Sequence, residues 1–103
     1  MDARVWLPPG FDPGRLAVRR HRSAGGRVHH VDLLLAELST RQHGNVARRQ
    51  LLALGVTAGE IESRLCSGAL LTVRRGVYAV GRPVVGPVAW RMAAVLAAGQ
   101  DAR

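Results

Sequence analysis

The chain has 103 residues and a mass of 11.1 kDa, room for one small domain. All 15 basic side chains are Arg, against seven Asp and Glu, which leaves a net charge of +8; 48% of residues are apolar but only 4% aromatic. These figures exclude a large catalytic domain with an enclosed pocket, the lone Cys66 excludes a disulfide scaffold, and the apolar stretch from Val84 to Ala98 is too interrupted by Gly86, Pro87 and Arg91 to span a bilayer.

Pro8, Pro9 and Gly10 stand where a signal peptide would need its apolar run, so a soluble, reducing, cytoplasmic setting is expected. The Arg excess favours a polyanionic partner, nucleic acid first. Six of the Arg residues lie within residues 1–30, against Asp2 and Asp12. That stretch has no sustained helical or strand periodicity, and Pro8, Pro9, Pro13, Gly10, Gly14, Gly25 and Gly26 interrupt it. It reads as a flexible basic tail, with the folded unit beginning near Val31.

From Val31 the pattern changes. Val31, Leu33, Leu34, Leu35, Ala36 and Leu38 form a wide apolar helical face running to about His43, with Gly44 suited to the left-handed position that ends a helix. A short second helix is expected over Ala47 to Leu54, burying Leu51, Leu52 and Leu54 while Arg49 points away, and stopping at Gly55. The third helix has the clearest start: Thr57-Ala58-Gly59-Glu60 is a capping box, in which the Thr hydroxyl accepts from the Glu60 amide and the Glu60 carboxylate reaches back. It runs to about Ser67 and Gly68, with Ala58, Ile61 and Leu65 inward and Gly59, Ser63, Cys66 and Ser67 outward, flanked by Glu60, Glu62 and Arg64. Two alternating β-branched stretches then surround the Arg74-Arg75-Gly76 break between Leu70 and Gly81, the pattern of a hairpin. Pro83, Gly86 and Pro87 make a linker, and a last helix over Val88 to Ala98 presents Val88, Met92, Val95 and Leu96 on one side, with Trp90 as its largest apolar body.

Helix, helix, two-residue turn, capped helix and hairpin together describe a winged helix-turn-helix. The expected class is α+β, mostly α: three helices and a two-stranded β-hairpin wing over residues 31–82, with residues 83–103 a linker and trailing helix that is a candidate for the opening of a second domain. The expected core is Leu33, Leu34, Leu38, Leu51, Leu54, Ile61, Leu65, Leu71, Val73, Val77 and Val80, with Trp90 and Tyr78 assigned to packing.

Arg41-Gln42-His43-Gly44-Asn45-Val46, Gln50 to Val56, Ser67-Gly68-Ala69-Leu70 and Arg75-Gly76-Val77-Tyr78-Ala79-Val80-Gly81 resemble the N-terminal domain of AbiEi-family antitoxins of type IV toxin–antitoxin systems. The similarity covers roughly residues 37–99, and Trp90 to Ala97 looks like the helix that follows the wing in those proteins. The resemblance implies a winged-helix DNA-binding domain that represses its own toxin–antitoxin operon. Relatives often carry Thr at the place of Ala47 and Arg at the places of Ala58, Gly59, Ser63, Cys66 and Ala69, so the outward face of the third helix is here small and nearly neutral.

The expected partner is double-stranded DNA. Arg74 and Arg75 at the hairpin tip are candidates for phosphate contact, against the alternative of a solvated turn; Arg48 and Arg49 open the second helix where such helices cross the backbone. Ser63, Arg64 and Ser67 are the only side chains of the third helix able to bond a base edge or phosphate, and Ser discriminates bases weakly. A cognate nucleotidyltransferase-like toxin and a second copy of the chain are further candidate partners, which would make this a protein–protein module; an inactive truncated fragment is the remaining alternative. No membrane, cofactor or metal is expected: His29-His30 with His21 lack a fixed geometry, and Cys66 lacks an activating neighbour beyond Arg64. No paired carboxylates, nucleophile elbow or phosphate loop suggest an enzyme.

Overall fold

The computed structural model describes residues 5–18 and 24–101. The elements follow in the order α1 (Pro13–Leu16), α2 (Ala24–Thr40), β1 (Asn45–Ala47), α3 (Arg48–Ala53), α4 (Ala58–Ser67), β2 (Leu70–Arg74), β3 (Val77–Val80) and α5 (Pro87–Asp101). The class is α+β, mostly helical, with a small sheet and a trailing helix.

Among the described residues the sheet has three strands, not two. β3 is central, flanked antiparallel by β1 and β2, with Val46 opposite Tyr78 and Leu70 opposite Val80. The period-two alternation of strand side chains sorts the sheet into two faces. Val46, Leu70 and Tyr78 turn to one side, where they join Leu34, Leu38, Leu51, Leu54 and Ile61 from the helices. Ala47, Val77 and Ala79 turn to the other, where α5 lays Ala89, Ala93 and Leu96 against them. The sheet is thus a middle layer, with α2, α3 and α4 on one face and α5 on the other. Pairing slips between Thr72 and Arg74, so the strand bends where it approaches the hairpin tip.

In α2, Val31, Leu34, Leu35 and Leu38 are buried, the i, i+3, i+4, i+7 stripe of an amphipathic helix. Leu33 lies off that stripe and is 40% exposed, contrary to its place in the expected core; Leu52 on α3 is exposed for the same reason. Leu65, Leu71, Val73 and Val80 pack only partly buried at the margins of the core. The helix ends at Thr40 rather than His43, and the chain then turns with both His43 and Gly44 at positive φ.

Parts of the expected flexible tail of residues 1–30 are folded onto the domain; residues 1–4 and 19–23 lie outside the described residues. Asp12 caps the single turn of α1 by accepting from the Gly14 and Arg15 amides, and Pro13 stands at its first position. Phe11 and Leu16 are buried in the main core, with Leu7, Ala17 and Val18 against it. The Val18 amide donates to Leu54 O at 2.7 Å, and His30 Nε2 donates to Leu16 O at 2.7 Å from within α2. α2 begins at Ala24, upstream of Val31, so its first turns belong to what the sequence pattern marks as tail.

Candidate nucleic-acid interface

The ends of α4 are built as its sequence dictates, although Ala58, expected inward, is exposed. Thr57 Oγ1 accepts from the Glu60 amide at 3.1 Å, Glu60 Oε1 accepts from the Thr57 amide at 2.8 Å, and Gly68 closes the helix at φ 84°. Ile61 is fully buried, while Glu62, Ser63, Cys66 and Ser67 are exposed along the opposite side. α5 occupies the far face of the sheet and leaves that side of α4 open.

Glu60 does more than cap. Arg27 from the first turn of α2 donates through Nε to Glu60 Oε2 at 2.7 Å and through Nη2 to Oε1 at 2.9 Å, and Nη2 also reaches Gly55 O at 2.7 Å. One guanidinium therefore ties α2 to the α3–α4 turn and to the start of α4. The Arg27 hydrogen bonds, opposed in part by desolvation and helped by the Thr57 donors, hold the Glu60 carboxyl well below the usual range, at about 2. Because the folded value is the depressed one, the stabilisation is complete above the ordinary glutamate range and is lost as pH falls toward 2. The pair is about one-fifth exposed, so solvent screening leaves on the order of 1 kcal/mol. Urea unfolding followed from pH 6 to pH 2.5 is expected to show that loss in the native chain and a flatter profile in Glu60→Gln. An unchanged slope in the variant would remove the pair as its source.

Of the residues singled out in the sequence, Arg48 comes beside Arg74 and Arg75 through its backbone. The Arg48 amide donates to Gly76 O at 2.8 Å, where Ala47 pairs with Val77, so the start of α3 sits beside the hairpin turn. Arg74 at the end of β2 and Arg75 on the turn are exposed, and Gly76 provides the turn's positive φ of 75°. Arg48 Nη1 lies 3.3 Å from Tyr78 Oη, an oriented donor at the edge of the sheet.

The others are drawn elsewhere. Arg49 does not point away from the fold: its guanidinium lies against Gly99 of α5, and its Nε is buried without a hydrogen-bond partner among the described residues. Arg64 turns back to α2, with Nη2 3.1 Å from Asp32 Oδ1 and 3.4 Å from Val28 O, and its side chain is only 13% exposed. Ser67 Oγ donates to Arg64 O and accepts from the Ala69 amide, so it finishes its own helix. Ser63 is exposed in the middle of the outward face. Arg27 is the residue that sequence reasoning missed; its acid partner lies 33 positions away, a distance at which no local pattern gives a signal.

Trp90 is half-exposed rather than packed inside, at the rim of an apolar groove of about 340 Å³ formed with Leu71, Val73, Pro83 and Val84. Tyr78 is buried, as expected. Among the described residues no three metal-ligating side chains cluster, and no helix is long and apolar enough to cross a membrane. No protein-family model, curated protein or solved structure matches the chain.

Proposed function

We propose that this chain binds duplex DNA as a winged helix-turn-helix, in the manner of the operator-binding domain that AbiEi-type antitoxins carry. The order α2-β1-α3-α4-β2-β3, with strand order β1-β3-β2, is compatible with that architecture: α3 and α4 form the helix-turn-helix and Arg74-Arg75-Gly76 the tip of the wing. The observation that carries the reading is the Arg48 backbone bonded to Gly76 beside the exposed Arg74 and Arg75, on a chain of net charge +8. Guanidinium groups so placed suit phosphate oxygens, to which they donate in pairs. Arg27 draws the Glu60 carboxylate inward and so lessens the repulsion between the start of α4 and the phosphates. The outward face of α4 offers Ser63 and little else for base edges, so affinity comes mainly from the backbone and sequence selectivity is low.

The test is anisotropy titration of a random-sequence 25-base-pair duplex (~25, two turns or more of groove) at several salt concentrations. Arg74→Ala with Arg75→Ala is expected to weaken binding roughly 10–100-fold and to reduce the log–log salt slope by about 1.8, the release from two phosphates. Arg91→Ala, on α5 across the sheet, is expected to leave the slope unchanged. A double variant with the native slope would take the wing out of the interface.

A further inference from the structure

We infer that the outer edge of β2 takes an added strand from a protein partner, an extended segment with apolar residues at alternate positions and acids at both ends. The inference is independent of DNA binding. It begins with the backbone. β3 is the central strand, so β2 has a neighbour on one side only. The Gly81 amide donates to Ala69 O at 2.9 Å, and antiparallel pairing alternates from that contact, so Leu71 exchanges its bonds with Ala79. The N–H and C=O groups of Leu70 and Thr72 therefore turn outward. They meet no other strand among the described residues, and Ala69, Thr72 and Arg74 are exposed along that edge. An open edge of this kind is a template for a further strand.

Beside the edge lies the groove that Trp90 rims. Leu71 and Val73, both partly buried, turn to the α5 side of β2 and form it with Pro83 and Val84. In a strand added antiparallel to β2, the residue opposite Leu71 stands on the same face as Leu71. Apolar side chains there, and two positions away on either side, reach the groove. The residues between them supply the N–H and C=O groups for Leu70 and Thr72. Backbone pairing then gives affinity and the groove selects side chains, the general scheme of strand addition.

Charge decides what supplies the segment. No Asp or Glu lies between positions 63 and 100. Arg74 closes β2 and Arg75 follows it, while Arg82 comes next after the Gly81 that bonds to Ala69 at the other end. All three are exposed. An edge of five residues, roughly 16 Å at about 3.3 Å per residue, is thus bracketed by Arg with no carboxylate between. A second β2 would bring the same Arg residues against it and is repelled. A segment with acids at both ends pairs with them instead. Nucleic acid answers the charge but has no peptide edge to bond Leu70 and Thr72.

The probe is a fluorescein-labelled peptide, Glu-Glu-Val-Thr-Val-Thr-Val-Glu-Glu, titrated with the full chain and followed by anisotropy. Saturable binding is expected. Replacing both Thr of the peptide by Pro removes the donors to Leu70 O and Thr72 O, and is expected to weaken binding about 10-fold or more. Replacing its Val residues by Ser is expected to cost a similar factor, and Lys in place of Glu to abolish binding. Trp90→Ala, at a half-exposed position, is expected to weaken binding about 10-fold with the thermal midpoint within a few degrees. Thr72→Pro is expected to do the same, since an edge strand tolerates Pro where its N–H faces outward. Amide exchange in the complex is expected to slow at Leu70 and Thr72 and to stay unchanged at Leu71. A native chain that does not bind, or that binds the Ser peptide as tightly, would overturn the assignment. So would Leu70 and Thr72 amides that stay unprotected in the complex, or that become protected with rising chain concentration in the absence of peptide, which would give the edge to a second copy.

Discussion

Replacing Gln50 with Ala is expected to lower the unfolding free energy by about 3–4 kcal/mol, most of what a domain of this size has available. Gln50 and Gln42 are both fully buried and hold each other by reciprocal amide bonds: Gln42 Nε2 donates to Gln50 Oε1 at 3.0 Å and Gln50 Nε2 to Gln42 Oε1 at 2.7 Å. Each has a second engagement with backbone. Gln42 Nε2 donates to Asn45 O, Gln50 Nε2 donates to Trp6 O, and Gln50 Oε1 accepts from the Ala47 amide. Truncating Gln50 therefore leaves the buried Ala47 amide and one side of Gln42 without a partner, and releases the part-buried carbonyl of Trp6. Each stranded group costs about 1–3 kcal/mol, partly relieved where solvent can enter. Urea unfolding of single and double Leu variants at 42 and 50 measures the coupling directly. Gln42→Leu with Gln50→Leu is expected to cost less than the two single changes added together, because neither amide is then left facing an apolar neighbour. Strict additivity would show that the pair contributes only volume.

That pair also explains why some of the architecture is hidden in the sequence. β1 is three residues long and opens with Asn45, so no alternation announces it; it exists because Asn45 Nδ2 finds Gln42 O and Ala89 O, and because Val46 and Ala47 are each wanted by a different layer. By contrast the bounds of α4 are legible, since the Thr57–Glu60 cap and Gly68 act locally, though Ala58, expected inward, is exposed. The hairpin is legible for the same reason. The segment before Val31 misleads because its apolar residues are too sparse for a period, yet Phe11 and Leu16 fill gaps left by the helices, a tertiary fact with no local pattern. The candidate interface divides likewise. Arg74 and Arg75 at a hairpin tip stay exposed, whereas Arg49 and Arg64 each had a choice that α5 and Asp32 decided. Trp90 shows the limit of composition: it follows Ala89 by one position, about 100° round the helix from it, and away from the side that Ala89, Ala93 and Leu96 turn to the sheet, so the indole is left at the edge.

Gly55→Ala is expected to cost about 3 kcal/mol, more than twice the cost of Gly68→Ala, although both glycines have nearly the same backbone conformation. Gly55 has φ 93° and Gly68 φ 84°, so a side chain is strained at either. The difference lies in what surrounds them. A Cβ at Gly68 would meet nothing within 4 Å, whereas one at Gly55 would sit 2.5 Å from Val18 O. Backbone cannot swing aside as the end of a side chain can, so the arm comprising residues 5–18 has to retreat. Its retreat pulls the Val18 amide from Leu54 O and disturbs Arg27 on Gly55 O. Those two bonds brace the turn between α3 and α4 from outside, and the angle between these helices positions α4 relative to the β2–β3 hairpin. The variant is therefore expected to expose the arm to proteolysis near Leu16 and, under conditions where the chain stays folded, to weaken duplex binding without altering the salt slope, since no phosphate contact is removed. Gly68→Ala, with only backbone strain to bear, is expected to change neither cleavage nor affinity. Equal thermal shifts in the two variants, with the arm equally protected, would mean that the N-terminal segment rests on the turn without holding it.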